Sequence, residues 1–243
     1  MSDRDEIEPF LPSRRPPGDG VPLDYLQPSD RPDSLGRLGH YEILQVLGQG
    51  AFGTVLKAFD DRLVRMVAIK VIGADLAATS PARKRFLREA QASAAIRHEH
   101  VVSVYSVEDK PLPHLVMEYI PGPTLQQRLD QGGPLDVAGV LHFGRKIAEG
   151  LAAAHAMDLI HLDIKPGNIL LDMSVGERVK ISDFGLARAA ADASLSQSGV
   201  IAGTPMYMSP EQALGHRLDR RADLFSLGSV PYQMTGGPGS PRK

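Results

Sequence analysis

Leu47-Gly48-Gln49-Gly50-Ala51-Phe52-Gly53-Thr54-Val55 is the stretch on which the reading of this chain turns. Its glycines follow a G-x-G-x-x-G spacing, and their missing side chains let backbone amides approach phosphate oxygens without steric conflict. A dinucleotide-binding turn has the same spacing, but there a helix opens directly after the glycines. Here Thr54 to Phe59 is β-prone and leads to another strand, which places the glycines in a hairpin able to fold over a nucleotide. Taken alone, the glycines also fit a plain turn.

Outward from the hairpin, short apolar runs (YEILQVL from Tyr41, TVLKAF from Thr54, MVAIKVI from Met66) separated by Gly-rich or charged turns predict consecutive antiparallel strands. Ser80 before Pro81 reads as an N-cap with proline at the first helical position, and Phe86, Ala90 and Ala94 recur at helical spacing. VVSVYSV from Val101 and HLVMEYI from His114 predict two more strands before the turn Pro121-Gly122-Pro123. Beyond it, Val140, Phe143, Ile147, Leu151 and Ala154 mark one face of a long helix. Upstream, residues 1–39 hold seven of the 19 prolines among Gly, Ser, Asp and Arg, which reads as a disordered leader; the alternative is an arm anchored by Tyr25 and Leu26.

Lys70 lies inside the apolar strand Val67-Ala68-Ile69-Lys70, where an unpaired ammonium is costly to desolvate, so it needs an anion; Glu89 on the following helix is the natural candidate. A snorkelling edge-strand lysine is the competing reading. Further on come His161-Leu162-Asp163-Ile164-Lys165-Pro166-Gly167-Asn168 and Ile181-Ser182-Asp183-Phe184-Gly185. Asn168 and Asp183 offer the hard oxygen ligands that suit Mg²⁺, which takes water and phosphate oxygens for the rest of its octahedron. Asp163 is then left to accept a proton from an attacking hydroxyl, with Lys165 placed to neutralise charge on a transferring phosphoryl group. Singly, each of these is an ordinary turn residue.

The four motifs occur in order on suitable secondary structure. From about Tyr41 to Gly228 the chain resembles eukaryotic-type protein kinases, in phrasing most similar to the serine/threonine kinases of bacteria. The resemblance implies an α+β fold of two lobes: a small antiparallel-sheet lobe over 40–120 and a mainly helical, incomplete lobe over 121–230, between the leader 1–39 and a linker-like tail 231–243. It implies ATP and Mg²⁺ as cofactors. Leu47, Gly48, Gln49, Gly50, Ala51, Phe52, Gly53, Val55 and Ala68 would line the ATP site. Lys70 would bind the α- and β-phosphates and pair with Glu89. Asp163 would be the catalytic base, and Asn168 and Asp183 would hold the metal. The hinge would be Met117-Glu118-Tyr119-Ile120, with Met117 as gatekeeper and the backbones of Glu118 and Ile120 bonding adenine. Lys165 and Gly203-Thr204-Pro205 before Tyr207 follow the serine/threonine pattern, with Thr204 orienting Asp163 and Lys165, so Ser and Thr hydroxyls of proteins are the expected substrates.

Three departures stand out. Leu162 occupies the place of a common arginine, removing a guanidinium that would pair with a phosphorylated loop at Ser194, Ser196, Ser198 or Thr204. Ser209-Pro210-Glu211 stands for Ala-Pro-Glu, an exchange expected to be harmless. After Asp223-Leu224-Phe225-Ser226-Leu227-Gly228, where Asp223 would brace the catalytic loop, Pro231 interrupts the expected helix, and the arginine that pairs with Glu211 in the family is absent, leaving a costly unpaired carboxylate if Glu211 is buried. A truncated or non-catalytic ATP-binding relative is therefore the alternative function.

Composition limits the remaining classes. A net charge of −2 gives no field to hold nucleic acid, and the absence of cysteine excludes disulfides and thiolate metal sites. No run of about 18 apolar residues is present, and a cytoplasmic location is the expectation, a longer relative being free to carry an anchor.

Overall fold

The computed structural model describes residues 23–50, 53–73, 80–174, 176–184 and 205–237. Six strands form one sheet in the order β1-β2-β3-β4-β6-β5, every neighbour antiparallel: β1 Gly36–Leu38, β2 Tyr41–Gly50, β3 Gly53–Asp60, β4 Arg65–Val71, β5 Val104–Glu108 and β6 His114–Glu118. β3 alternates half-buried and buried residues along its whole length, as a strand with one face on a core must, whereas β4 in the middle of the sheet buries five consecutive residues from Val67 to Val71. The β2–β3 hairpin closes at Gly50 opposite Gly53, and two irregularities in β2 add twist just before the glycines. Gly53 has φ of 122°, and a Cβ there would sit 1.9 Å from the Val71 carbonyl oxygen, so only glycine fits.

Helix α1, Ser80–Ala94, begins at the expected residue and packs Phe86 and Ala90 against Ala68, Leu115 and Met117. Its third inward residue is Ser93 rather than Ala94. The fifth strand starts at Val104, not Val101, because Val101 and Val102 leave the sheet to bridge Ile181 of the second lobe.

That lobe holds α2 Leu125–Gly132, α3 Val137–His155, the hairpin β7 Ile169–Asp172 and β8 Arg178–Ile181, the short α4 Pro210–Ala213, and α5 Arg221–Met234. Thr124 and Gln127 close a capping box on α2, and the Asp136 side chain caps α3 at Gly139. The predicted face of α3 is its buried face: Phe143, Ile147, Leu151 and Ala154 join Leu125, Ile164, Ile181 and Met234 in the larger core.

Two boundaries move. The leader expected over 1–39 is built into the first lobe from Leu23: Leu23, Tyr25, Leu26 and Leu35 pack on Leu38, Tyr41 and Ile43, Gln27 bridges Arg37, and β1 itself falls inside the span. Proline content does not outweigh that burial. The fully buried Glu42 is neutralised by Arg37 at 2.6 Å and bonded by Ser29. Burial pushes the Glu42 carboxyl up, and the hydroxyls of Ser29 and Ser34 with Arg37 overcome it and hold it below its ordinary value. At the other end, α5 runs through Pro231 to Met234. The ring faces Gly144 of α3, and full burial of Val230 and Met234, roughly 1.5–3 kcal/mol each, offsets the ~3 kcal/mol cost of proline in a helix. Among the described residues no helix is long and apolar enough to cross a membrane.

Candidate active site

The loop beginning at His161 is built around a fully buried carboxylate on α5. Asp223 Oδ2 accepts from the His161 amide and from His155 Nε2, both at 2.8 Å, and Oδ1 accepts from the Leu162 amide at 2.8 Å. Burial pushes this carboxyl up, but the His155 bond, the nearby His161 and the two backbone amides outweigh it and leave Asp223 below its ordinary value. Leu162 needs such an anchor, since its φ of 65° puts a branched side chain in the left-handed region. Its carbonyl is held as well, by Gln212 Nε2 at 2.9 Å, and its side chain packs with Ala222, Ile160 and Leu218.

His161 accepts the Asp163 amide on Nδ1 at 3.2 Å, so Nε2 carries the proton and donates to the Ser182 carbonyl at 2.7 Å. Its ring meets Phe184 edge-on at 4.6 Å. One buried imidazole thus joins the loop carrying Asp163 to the strand end carrying Asp183. On Asp163, Oδ2 takes Lys165 Nζ at 2.7 Å and Asn168 Nδ2 at 2.9 Å, and the Asn168 amide also reaches the Asp163 carbonyl at 2.7 Å. Among the described residues Oδ1 accepts no bond, which leaves a fixed carboxylate with one lone-pair face open. Asn168 commits its NH₂ group inward and keeps its carbonyl oxygen, the atom a hard cation requires.

Lys70 is buried in β4, and its Nζ lies 2.8 Å from Asp183 Oδ1. Asp183, like Leu162, has φ of 65°. Glu89 is on the buried side of α1 beside Ala90, not on a polar face. Val55, Ala68, Met117 and Ile120 from the first lobe share an apolar cluster with Leu170 from β7, so the two lobes meet at that cluster. Behind Met117, a cavity of about 20 Å³ bounded by Ser93 and Phe184 has room for about one water. Leu47, Gly48, Gln49 and Gly50 lie at or near the exposed tip of the hairpin. The Glu118 amide donates to the Ser103 carbonyl at 2.9 Å, and the Ile120 carbonyl accepts from Gly122. Ala51, Phe52, Gly185, Thr204 and Ser194, Ser196 and Ser198 lie outside the described residues.

The chain matches the protein kinase domain family over residues 41–240. It belongs to the protein kinase family. It is 42% identical over 205 residues to the serine/threonine-protein kinase PknB of Mycobacterium leprae, covering 82% of this chain and 33% of that one. To the serine/threonine-protein kinase pkn2 of Myxococcus xanthus it is 41% identical over 211 residues, 85% of this chain and 25% of the other. The chain thus spans a third or less of the length of these relatives. Among solved structures, the kinase domain of Mycobacterium tuberculosis PknI superposes with a TM-score of 0.68 at 28% identity, over 85% of this chain and 80% of that one. The two-lobed α+β fold expected from the motifs is the fold observed.

Several kinase residues that shape the site were not singled out from the sequence. His155 and Gln212 are far in the chain from the loop they support, whereas Leu170 follows Asn168 by two residues in β7. Ser209, expected to be a harmless exchange, is the fully buried N-cap of α4, in a capping box with Gln212 whose side chain continues to Leu162. The S-x-x-Q spacing behind proline at the first turn was the available signal. Glu211, expected to suffer as an unpaired buried carboxylate, is only half-buried on α4 and keeps contact with solvent, so the full desolvation cost does not arise.

Proposed function

We propose that this chain transfers the γ-phosphoryl group of ATP to Ser or Thr hydroxyls of proteins. The observation that carries the reading is Asp163, clamped on one oxygen by Lys165 and Asn168 with the other oxygen open to a substrate hydroxyl. In this reading Asp163 orients and deprotonates the hydroxyl, and Lys165 offsets charge that develops beside it. Lys70 holds phosphate oxygens and pairs with Glu89 on α1. Val55 and Ala68 above and Leu170 below sandwich the adenine, whose edge meets the backbone of Glu118 and Ile120. Thr204 steadies Asp163 and Lys165, and the glycines of 48–53 cover the phosphates.

The donor set fits magnesium. Asn168 retains a free carbonyl oxygen and Asp183 a carboxylate, two hard ligands of the kind Mg²⁺ takes alongside phosphate oxygens and water. Bound there, the ion would neutralise phosphate charge. Asn168 is kept rigid by its own bonds to Asp163, and its backbone carbonyl accepts from the Ser182 amide at 2.9 Å and the Ser182 hydroxyl at 3.1 Å, which fixes one ligand against the strand that bears the other.

The test is transfer of labelled phosphate from ATP to a generic basic protein, run beside nucleotide binding followed by thermal shift. Transfer by the chain, lost in Asp163→Asn with nucleotide binding retained, supports the proposal. Binding without transfer in the unaltered chain would instead make it a nucleotide-binding relative that does not turn over protein.

A further inference from the structure

A second buried ion pair plays no part in this chemistry. Lys180 Nζ lies 2.7 Å from Glu118 Oε2, with the lysine buried and the glutamate only partly exposed. The same Oε2 accepts the Ser103 amide at 3.2 Å, while the Glu118 amide donates back to the Ser103 carbonyl at 2.9 Å. Glu118 is the last residue of β6, next to Met117 of the apolar cluster, and Lys180 is on β8, three residues before Asp183.

The residues just before Ser103 are bonded to the second lobe. The Val102 amide donates to the Ile181 carbonyl and the Ile181 amide to the His100 carbonyl, each at 2.9 Å, and His100 Nδ1 sits 3.0 Å from the Val179 carbonyl. Helix α3 closes on the same loop: a Cβ on Gly150 would lie 2.9 Å from the His100 carbonyl oxygen. Glu118 is therefore fastened, through backbone and carboxylate together, to a block of β8, α3 and the 98–103 loop. The chain crosses between lobes just after it, at 119–123. Rotation that opens the cleft at this crossing has to pull Glu118 from Lys180, leaving a buried charge without its partner.

We propose that the Glu118–Lys180 pair is a latch on lobe opening that sets how fast nucleotide leaves the cleft. Both are positioning residues, acting through the hinge and not on the reacting atoms. The inference rests on the reading that the cleft holds ATP.

It is tested on the full chain with Mg²⁺ and a fluorescent N-methylanthraniloyl ADP, its dissociation followed by stopped flow. Lys180→Met, close in shape and without charge, and Glu118→Gln should each speed release by about tenfold with association little changed. Lys180→Arg should restore the slow rate, and the double variant should release no faster than the faster single. Release at the original rate in both singles overturns the latch. So does multiplication of the two effects in the double variant, or equal acceleration in a core variant, Ile147→Val, chosen to match the loss of thermal stability. Failure of the unaltered chain to bind the probe overturns the nucleotide reading itself, a separate result from a latch that binds but does not hold.

Discussion

Replacing Asp223 by alanine removes the acceptor for three donors at 2.8 Å: the amides of His161 and Leu162 and the His155 imidazole. Each orphaned buried amide costs about 1–3 kcal/mol, and loss of a charged partner from a buried network costs about 3–5 kcal/mol in all. Leu162 adds to the strain, since its left-handed backbone, worth about 1–2 kcal/mol against it, is then held only by Gln212 and by packing. A total near 4 kcal/mol is a large part of the roughly 5–15 kcal/mol that stabilises a domain, so Asp223→Asn is the more tractable variant. Its carboxamide keeps an oxygen for one amide and turns an NH₂ group on another donor, for an expected loss of about 2 kcal/mol. Urea denaturation measures that loss, and hydrogen exchange at the His161 and Leu162 amides locates it. A loss under about 1 kcal/mol with both amides still protected would refute the idea that Asp223 holds the catalytic loop. Acid supplies a second check. The folded carboxyl titrates below its unfolded value, so its contribution is complete above about pH 4 and is lost as pH falls through the folded value; the gap between native and Asp223→Asn stability should close below pH 4.

Burial, with a smaller push from Asp130, raises the Tyr207 phenol to about 12. Its contribution to stability should be complete below pH 10, where the unfolded tyrosine titrates, and decline as pH rises toward 12; an ultraviolet titration should show at least one tyrosine ionising late, and uniform ionisation near pH 10 would exclude this. Pro231→Ala should stabilise the chain by about 1–3 kcal/mol, because alanine restores a donor to α5 without disturbing Val230 or Met234, and a destabilised variant would mean that the ring's place against Gly144 matters more than the missing bond. Leu162 packs on Ala222 and Leu218 where a phosphate-binding arginine is usual in the family, so kinase activity should survive phosphatase treatment; loss of most of it would count against that reading.

Part of the site is legible in the sequence because its partners are near in the chain, while Lys70, Asp183 and Asp223 are read from their motifs although their partners are distant. Asn168 reaches Asp163 across five residues, Lys165 reaches it across two, and the glycines of the hairpin report their own backbone requirement. Chemistry at such spacing leaves a pattern. From Leu23 onward the arm anchored by Tyr25 and Leu26 forms in place of a disordered leader, for the opposite reason: proline content describes what a segment can do by itself, whereas Leu23, Tyr25 and Leu26 pack on a sheet supplied from elsewhere. Ser93 escaped notice because helical spacing alone does not say which of two adjacent residues turns inward.

What holds the motifs in place is of this non-local kind. His155 meets Asp223 across 68 residues, Gln212 meets Leu162 across 50, and Lys180 meets Glu118 across 62. Each pair consists of common residue types that, read in isolation, are surface charges or helix ends. They come together only when α5 is laid under the 161–163 loop and β8 against the end of β6. Much of this support converges on the backbone of one unusual residue: Leu162 has its amide on Asp223, its carbonyl on Gln212 and its side chain against Ala222 and Leu218. An arginine at that position could draw support from a phosphate. A leucine cannot, so the backbone beside Asp163 draws its support from α4 and α5, and in the proposed transfer the integrity of those two helices becomes a condition for the reaction.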